Sequence, residues 1–175
     1  MLFSTPDLCD QYDTLLQVIP PALKHFGGQT AFFGEIVTAK CFEDNSTVKS
    51  TLAEPGTGKV LVVDGGGSMR CALLGDQIAT CAVENRWAGI IIYGCVRDVT
   101  ILSTLPIGIM ALAAHPRKSI RRGEGQKQLS INLAGASIQP GNYVYADENG
   151  AAVSAEKLPL TEKTSLAEKA PLNSR

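Results

Sequence analysis

Three short runs of this chain are almost entirely apolar: Lys59 to Asp64 (KVLVVD), Gly89 to Gly94 (GIIIYG) and Ile107 to Ala113 (IGIMALA). A strand with one wet face alternates apolar and polar residues, whereas a continuous apolar run bounded by turn formers reads as a strand buried within a core. Between the first two runs, Gly75 to Trp87 puts Ile78, Ala79, Ala82 and Val83 on one helical face. Between the second and third, Val99 to Leu105 suits a short helix. The chain is therefore mixed α/β with substantial sheet.

The flanking segments fill out that reading. Thr5-Pro6-Asp7 combines a cap, a first-turn proline and an early acid, and starts a helix running toward Tyr12. Pro20-Pro21 interrupts any continuation. Ala31 to Phe42 is a β-rich segment ending at Glu43-Asp44-Asn45, and a helix follows from Ser46 to Ala53, closed by Pro55-Gly56. Leu129 to Leu133, Tyr143 to Ala146 and Ala151 to Ser154 complete the strands, the last two joined as a hairpin across Glu148-Asn149-Gly150. At 175 residues and 45% hydrophobic content the chain can bury one good core and little more. One domain over residues 1–157 is expected. From Glu156 onward acids, bases, Thr, Ser and Pro alternate without periodicity, so residues 158–175 read as a polar, frayed tail.

Charge and cysteine usage narrow the possible partners. Sixteen Lys and Arg against seventeen Asp and Glu give no electrostatic reason to expect direct nucleic-acid or membrane binding. Met1 to Gln11 carries two acids and no basic start followed by an apolar run, so it does not read as a secretory signal. No apolar stretch approaches the roughly 20 residues that span a bilayer. Five cysteines form no Cys-x-x-Cys pair, and Cys41, Cys71, Cys81 and Cys95 lie among apolar neighbours. They read as buried free thiols in a reducing compartment, which places the chain in the cytoplasm.

The chemistry is expected around Asp76, Arg97 and Asp98. A helix of about 13 residues rises roughly 20 Å, and a strand of about six residues returns roughly the same length. Equal lengths bring Arg97 and Asp98 back to the end where Asp76 begins its helix. The free N–H groups of Gly75, Asp76, Gln77 and Ile78 then form a site for a carboxylate or phosphate beside a fixed cation and two carboxylates. The plainer alternative is that Asp98 and Asp76 simply cap the helices they precede, with Arg97 in a surface ion pair.

Val37 to Asn45 (VTAKCFEDN), Val60 to Ser68 (VLVVDGGGS), Gly94 to Asp98 (GCVRD) and Tyr145 to Gly150 (YADENG) together resemble the family named for the regulator of ribonuclease activity A. The resemblance runs from about Thr5 to Leu158. That family includes metal-dependent 4-hydroxy-4-methyl-2-oxoglutarate aldolases, which carry an Asp, twenty intervening residues, then Arg-Asp; Asp76, Arg97 and Asp98 match this pattern in full. The resemblance implies a layered α/β/β domain of the swivelling type with a mixed sheet, assembled as a trimer or a hexamer with sites near subunit contacts. It implies a class II aldolase that yields pyruvate, with oxaloacetate decarboxylation as a side activity. In that reading Asp98 holds Mg²⁺ or Mn²⁺. Arg97 and Asp76 are catalytic, and Gly75, Asp76, Gln77, Ile78 and Arg97 bind a small 2-oxo acid. The rival reading is a non-catalytic regulator that binds and inhibits an endoribonuclease of the ribonuclease E type.

Three other features are weighed more plainly. Val60 to Gly67 lacks the Gly-x-Gly-x-x-Gly order of a dinucleotide loop and reads as a tight turn lining the pocket. His115 to Arg122 gathers Arg117, Lys118, Arg121 and Arg122. It reads as a solvated loop, the alternatives being contact with RNA, an acidic protein or the distal carboxylate of a dicarboxylic substrate. His25 and His115 have no neighbours at zinc-ligand spacing.

Overall fold

The computed structural model describes residues 3–160. Its helices are α1 (Thr5–Tyr12), α2 (Ser46–Leu52), α3 (Asp76–Glu84) and α4 (Val99–Leu102), with a 3₁₀ turn at Asp13–Leu15. The strands are β1 (Leu16–Val18), β2 (Lys24–His25), β3 (Phe32–Lys40), β4 (Lys59–Asp64), β5 (Ala72–Leu74), β6 (Gly89–Val96), β7 (Gly108–Ala114), β8 (Gln126–Lys127), β9 (Ile131–Leu133), β10 (Ala136–Ile138), β11 (Tyr143–Asp147) and β12 (Gly150–Ser154). The main sheet runs β1-β12-β11-β3-β4-β6-β7-β2, with β5 beside β6 and β8 beside β3. It is mixed: β3, β4, β6 and β7 are parallel neighbours, and the strands toward each edge are antiparallel.

The three apolar runs lie in β4, β6 and β7, at the middle of this sheet, and their period-2 side chains feed two separate cores. Leu61, Val63, Ile90, Ile92, Ile109 and Ala111 face Val48 and Leu52 of α2 and Ile78, Ala79 and Ala82 of α3. Val60, Val62, Ile91 and Met110 face the opposite way, onto Ile131, Leu133, Ala136 and Ile138 of the β9–β10 ribbon. The layers are helices, sheet and ribbon.

Local signals work as read at most element ends. At α1 the first-turn proline is Pro6 as read, but the cap is Ser4, whose Oγ accepts from the Asp7 N–H; Thr5, read as the cap, is the first helical residue and its hydroxyl donates to Asp147 Oδ1. The β11–β12 hairpin closes at Gly150, whose φ of +144° few other residues tolerate. Two further expectations need correction. The helix after Asp98 is one turn, ending at Leu102 instead of Leu105, because Leu105 already turns back onto Leu102 ahead of Pro106. The polar tail begins later than its charge pattern suggests: Leu158 is buried against Phe3, Leu8 and Tyr145, and its N–H donates to the Tyr145 hydroxyl at 2.7 Å. The rest of the expected tail, residues 161–175, lies outside the described residues.

Asp44, with no accessible surface, ties two distant segments together. Its carboxylate accepts from the Ser46 N–H at 2.7 Å and from the N–H groups of Arg122 and Glu124 at 2.6 and 3.1 Å. Burial pushes its pKa up, but the hydrogen bonds from Ser46, Glu124 and Arg122 outweigh burial and hold it at about 2. The folded-state value lies below the unfolded value of about 3.9, so this contribution is complete above about pH 4 and fades as pH falls toward 2. Asp44→Ala should cost on the order of 3 kcal/mol in urea unfolding at pH 7, through unsatisfied buried N–H groups. It should also raise amide exchange at Arg122 and Glu124. Asp44→Asn should flatten the loss of wild-type stability between pH 4 and 2.

Candidate active site

The parallel strands end together, and a cavity of about 680 Å³ opens at those C-terminal ends. Open α/β sheets place ligands at this edge because the loops there are free to vary. One wall is Gly75, Asp76, Gln77, Ile78 and Arg97; the other is Arg117, Lys118, Ser119, Ile120 and Arg121.

Asp76 and Arg97 meet here, though not through matched lengths. Helix α3 has nine residues and rises roughly 14 Å, while β6 has eight and spans roughly 26 Å. The closure comes from β5, a three-residue strand too short for its pattern to be read in the sequence. Leu74 pairs in register with Val96, and the Arg97 N–H donates to the Leu74 carbonyl at 2.9 Å. Gly75, the next residue, is thereby set against Arg97 and Asp98. A Cβ at Gly75 would lie 2.6 Å from Asp98 Oδ2 and 3.1 Å from Arg97 Nε. Its backbone is extended, so the demand for glycine is one of space alone.

Asp98 sits at the cavity's edge and is not among its lining residues. It has the left-handed φ of +57° and ψ of +37°, a conformation that costs a non-glycine residue energy. The capping alternative does not describe it: it stands at the start of α4, but its side chain makes no cap bond there. The carboxylate reaches back across Gly75. Oδ2 accepts from the Asp76 N–H at 3.3 Å and lies 3.3 Å from Arg97 Nε, with the Asp98 side chain 32% exposed. Asp76 Oδ1 accepts from the Gln77 N–H at 2.7 Å. Two of the N–H groups expected to receive an external anion therefore already face carboxylates.

The basic segment differs most from its reading as a solvated loop. Its cations are exposed, but its backbone is stitched to the free edge of β5: the Ala72 N–H donates to the Arg117 carbonyl at 2.8 Å, and the Ser119 N–H to the Ala72 carbonyl at 3.1 Å. Asp44 holds the far end. Arg121 Nε donates to Asn45 Oδ1 at 3.3 Å. Only the density of cations in the sequence hinted at this wall, and nothing in the sequence hinted at the roles of Asn45 and Ser119.

The glycine turn, by contrast, does not line the cavity. Gly66 and Gly67 both have φ of +67°; the Gly66 N–H donates to Asp64 Oδ1 and the Gly67 N–H to the Tyr93 carbonyl. These donors are used internally and cradle no phosphate. All five cysteines are free; Cys41, Cys71 and Cys95 are buried, while Cys81 on α3 is only half-buried, beside Asn85 and the Leu52 carbonyl. Burial pushes the Cys41 thiol up to about 12, which makes it inert as a nucleophile. His25 does not line this cavity; its Nε2 is 2.7 Å from the Asp147 carbonyl. Among the described residues, no three His, Cys, Asp or Glu side chains gather in a metal-binding cluster.

Comparison with known proteins agrees with this architecture. A protein from Pseudomonas fluorescens strain Pf0-1 is 52% identical over 91% of this chain and 98% of its own length, and one from Stutzerimonas stutzeri strain A1501 is 54% identical over 93% and 100%. Both bear the provisional name of 4-hydroxy-4-methyl-2-oxoglutarate aldolase. A solved structure described as the RNA-processing inhibitor RraA from Thermus thermophilis superposes with a TM-score of 0.88 at 42% identity, covering 91% of this chain and 96% of that one. Another, described as an S-adenosylmethionine: 2-dimethylmenaquinone methyltransferase from Geobacillus kaustophilus, gives 0.87 at 44% identity, covering 89% and 97%. The model of the RraA-like family, described as aldolase/RraA, matches residues 5–153, and this chain belongs to that family.

Proposed function

We propose that this chain is a divalent-metal-dependent aldolase. It cleaves 4-hydroxy-4-methyl-2-oxoglutarate, or a related 4-carboxy-4-hydroxy-2-oxo acid, to pyruvate and a second 2-oxo acid. The observation that carries this reading is the convergence of Asp76, Arg97 and Asp98 around Gly75 at the cavity. The names of relatives more than 50% identical over nine-tenths of the chain support it.

The donor set suits a hard cation held loosely. One or two carboxylates with room for waters is the manner in which Mg²⁺ or Mn²⁺ binds, whereas zinc asks for three or four protein ligands. Asp98 uses Oδ2 toward Asp76 and Arg97 and keeps Oδ1 for such an ion. A divalent cation there supplies Lewis acidity toward a keto oxygen.

The protein's own groups account for the remaining chemistry. Cleavage removes the proton of the C4 hydroxyl and breaks the C3–C4 bond. A carbonyl forms at C4, and the electron pair passes to the pyruvyl fragment as an enolate. Arg97, paired through Nε and so fixed in place, presents its remaining N–H groups to the charge growing on the keto oxygen. The start of α3, from Gly75 to Ile78, holds the substrate's near carboxylate, with the Asp76 side chain turning to free the Gln77 N–H. Asp76 orients the water that takes the hydroxyl proton. Oxaloacetate decarboxylation passes through the same enolate without that proton transfer, so it accompanies the aldolase activity.

A second reading, a regulator that binds an endoribonuclease, is favoured by the likeness to the Thermus protein. A methyl-donor site has less support, because the glycine turn spends its N–H groups internally. Free thiols fit the cytoplasm. No helix among the described residues is long and apolar enough to cross a membrane.

Asp98→Ala should abolish Mg²⁺-dependent pyruvate release from both substrates. Asp76→Ala should slow aldol cleavage by roughly 10² or more and spare oxaloacetate decarboxylation. A coupled pyruvate assay with both substrates checks this. Equal Mg²⁺-dependent rates for Asp98→Ala and wild type would remove the metal site from the proposal. Wild type showing no activity above free Mg²⁺, yet binding an endoribonuclease, would favour the regulator.

A 175-residue chain offers little wall for a cavity of this size. A trimer or hexamer, closing the site with a neighbouring subunit, is therefore expected, and light scattering at micromolar concentration should report it. A monomer would count against this assembly.

A further inference from the structure

The cavity wall opposite α3 has a surplus of positive charge that the aldolase chemistry just described does not use. Arg117, Lys118 and Arg121 line it, and among the described residues none of the three is paired with an acid. Their backbone cannot swing away, being held by Ala72 on one side and Asp44 on the other. Arg121 is further fixed through Nε by the buried Asn45. Ser119, in the same wall, is 6% exposed, and its hydroxyl is buried without any hydrogen-bond partner. A buried hydroxyl with no partner costs free energy unless a ligand or an ordered water completes it. Cations held in place beside an unmet hydroxyl form a receptor for an oxyanion.

We infer that Arg117, Arg121 and Ser119 form a second carboxylate subsite, which holds the acid group of the substrate remote from its keto carbon. The assignment of which carboxylate goes where rests on the aldolase reading; the preference for dicarboxylates over monocarboxylates does not. A volume of about 680 Å³ accommodates a six-carbon diacid between the two walls. Arginine suits the task because its planar fork binds a carboxylate through two N–H groups.

The chemistry gives this subsite a signature. In aldol cleavage the remote carboxylate keeps its charge and leaves on the second 2-oxo acid, so a cation bound to it serves throughout. In oxaloacetate the remote carboxylate is the one lost: its C–C bond breaks, carbon dioxide departs neutral, and the electron pair moves into the enolate. A cation there stabilises the ground state more than the transition state, so removing it weakens oxaloacetate binding and raises its KM.

The test uses the full chain in Mg²⁺ buffer. Calorimetric titration should show 2-oxoglutarate binding at least tenfold more tightly than 2-oxobutyrate, which lacks the second carboxylate. Arg121→Gln and Arg117→Gln should each bring that ratio down close to one. Arg121→Lys should retain most of it. In kinetics, the same Gln variants should lower kcat/KM for 4-hydroxy-4-methyl-2-oxoglutarate relative to 4-hydroxy-2-oxopentanoate, and raise KM for oxaloacetate. Equal affinity of wild type for the two ligands overturns the subsite, and so does an unchanged ratio in the Gln variants. Variants that lose both ligands equally also overturn it, because the residues then support the pocket without reading the second carboxylate. Wild type that keeps the binding preference but cleaves neither aldol sinks the aldolase reading and leaves the subsite standing.

Discussion

Strands that are apolar on both faces must be covered on both faces, and that requirement organises this molecule. Val62, Ile91 and Met110 point to one side and Val63, Ile92 and Ala111 to the other, all fully or almost fully buried. Burying a large aliphatic side chain is worth about 1.5–3 kcal/mol. Leaving either face open would therefore forfeit several kcal/mol, comparable with the roughly 5–15 kcal/mol by which a domain is stable. Helices α2 and α3 cover one face and the β9–β10 ribbon the other. The C-terminal ends of the parallel strands then remain as the place where loops and helix starts converge.

The candidate site depends on a much smaller element. Strand β5 contributes three residues and pairs irregularly with the end of β6. It nevertheless positions both cavity walls: Leu74 fixes Gly75 against Arg97 and Asp98, and Ala72 fixes Arg117 and Ser119. Backbone hydrogen bonds do this without regard to side-chain identity. The two walls are thus set by one strand, and a disturbance of β5 would move the α3 carboxylates and the basic segment together.

Electrostatically the cavity is divided. Its α3 wall holds Asp76, with Asp98 at the edge and Arg97 between them; the opposite wall carries three cations and no carboxylate. On the proposed reading, in which Asp98 holds a divalent cation, a ligand negative at both ends is complementary to that division. A neutral or purely cationic ligand is not.

Much of the fold was legible in the sequence. Continuous apolar runs marked β4, β6 and β7, the period of Ile78, Ala79 and Ala82 marked α3, and Pro6 with Asp7 marked the start of α1, though its cap is Ser4 and not Thr5, because periodicity and helix-start signals act within a few residues. The Asp76/Arg97/Asp98 set was legible as a spaced pattern and through family resemblance. Other features were not. A three-residue strand such as β5 has no period to read, and its place is decided by which edge of β6 is free. Ser119 and Asn45 are ordinary polar residues until distant backbone brings them to one wall. The basic segment looked solvated because sequence shows charge but not the Asp44 carboxylate, some eighty positions away, that binds its amides. Sequence determined what depends on local chemistry and on the composition of each run. Tertiary structure decided which carboxylates, cations and hydroxyls share one cavity, because that rests on hydrogen bonds between residues with no proximity along the chain.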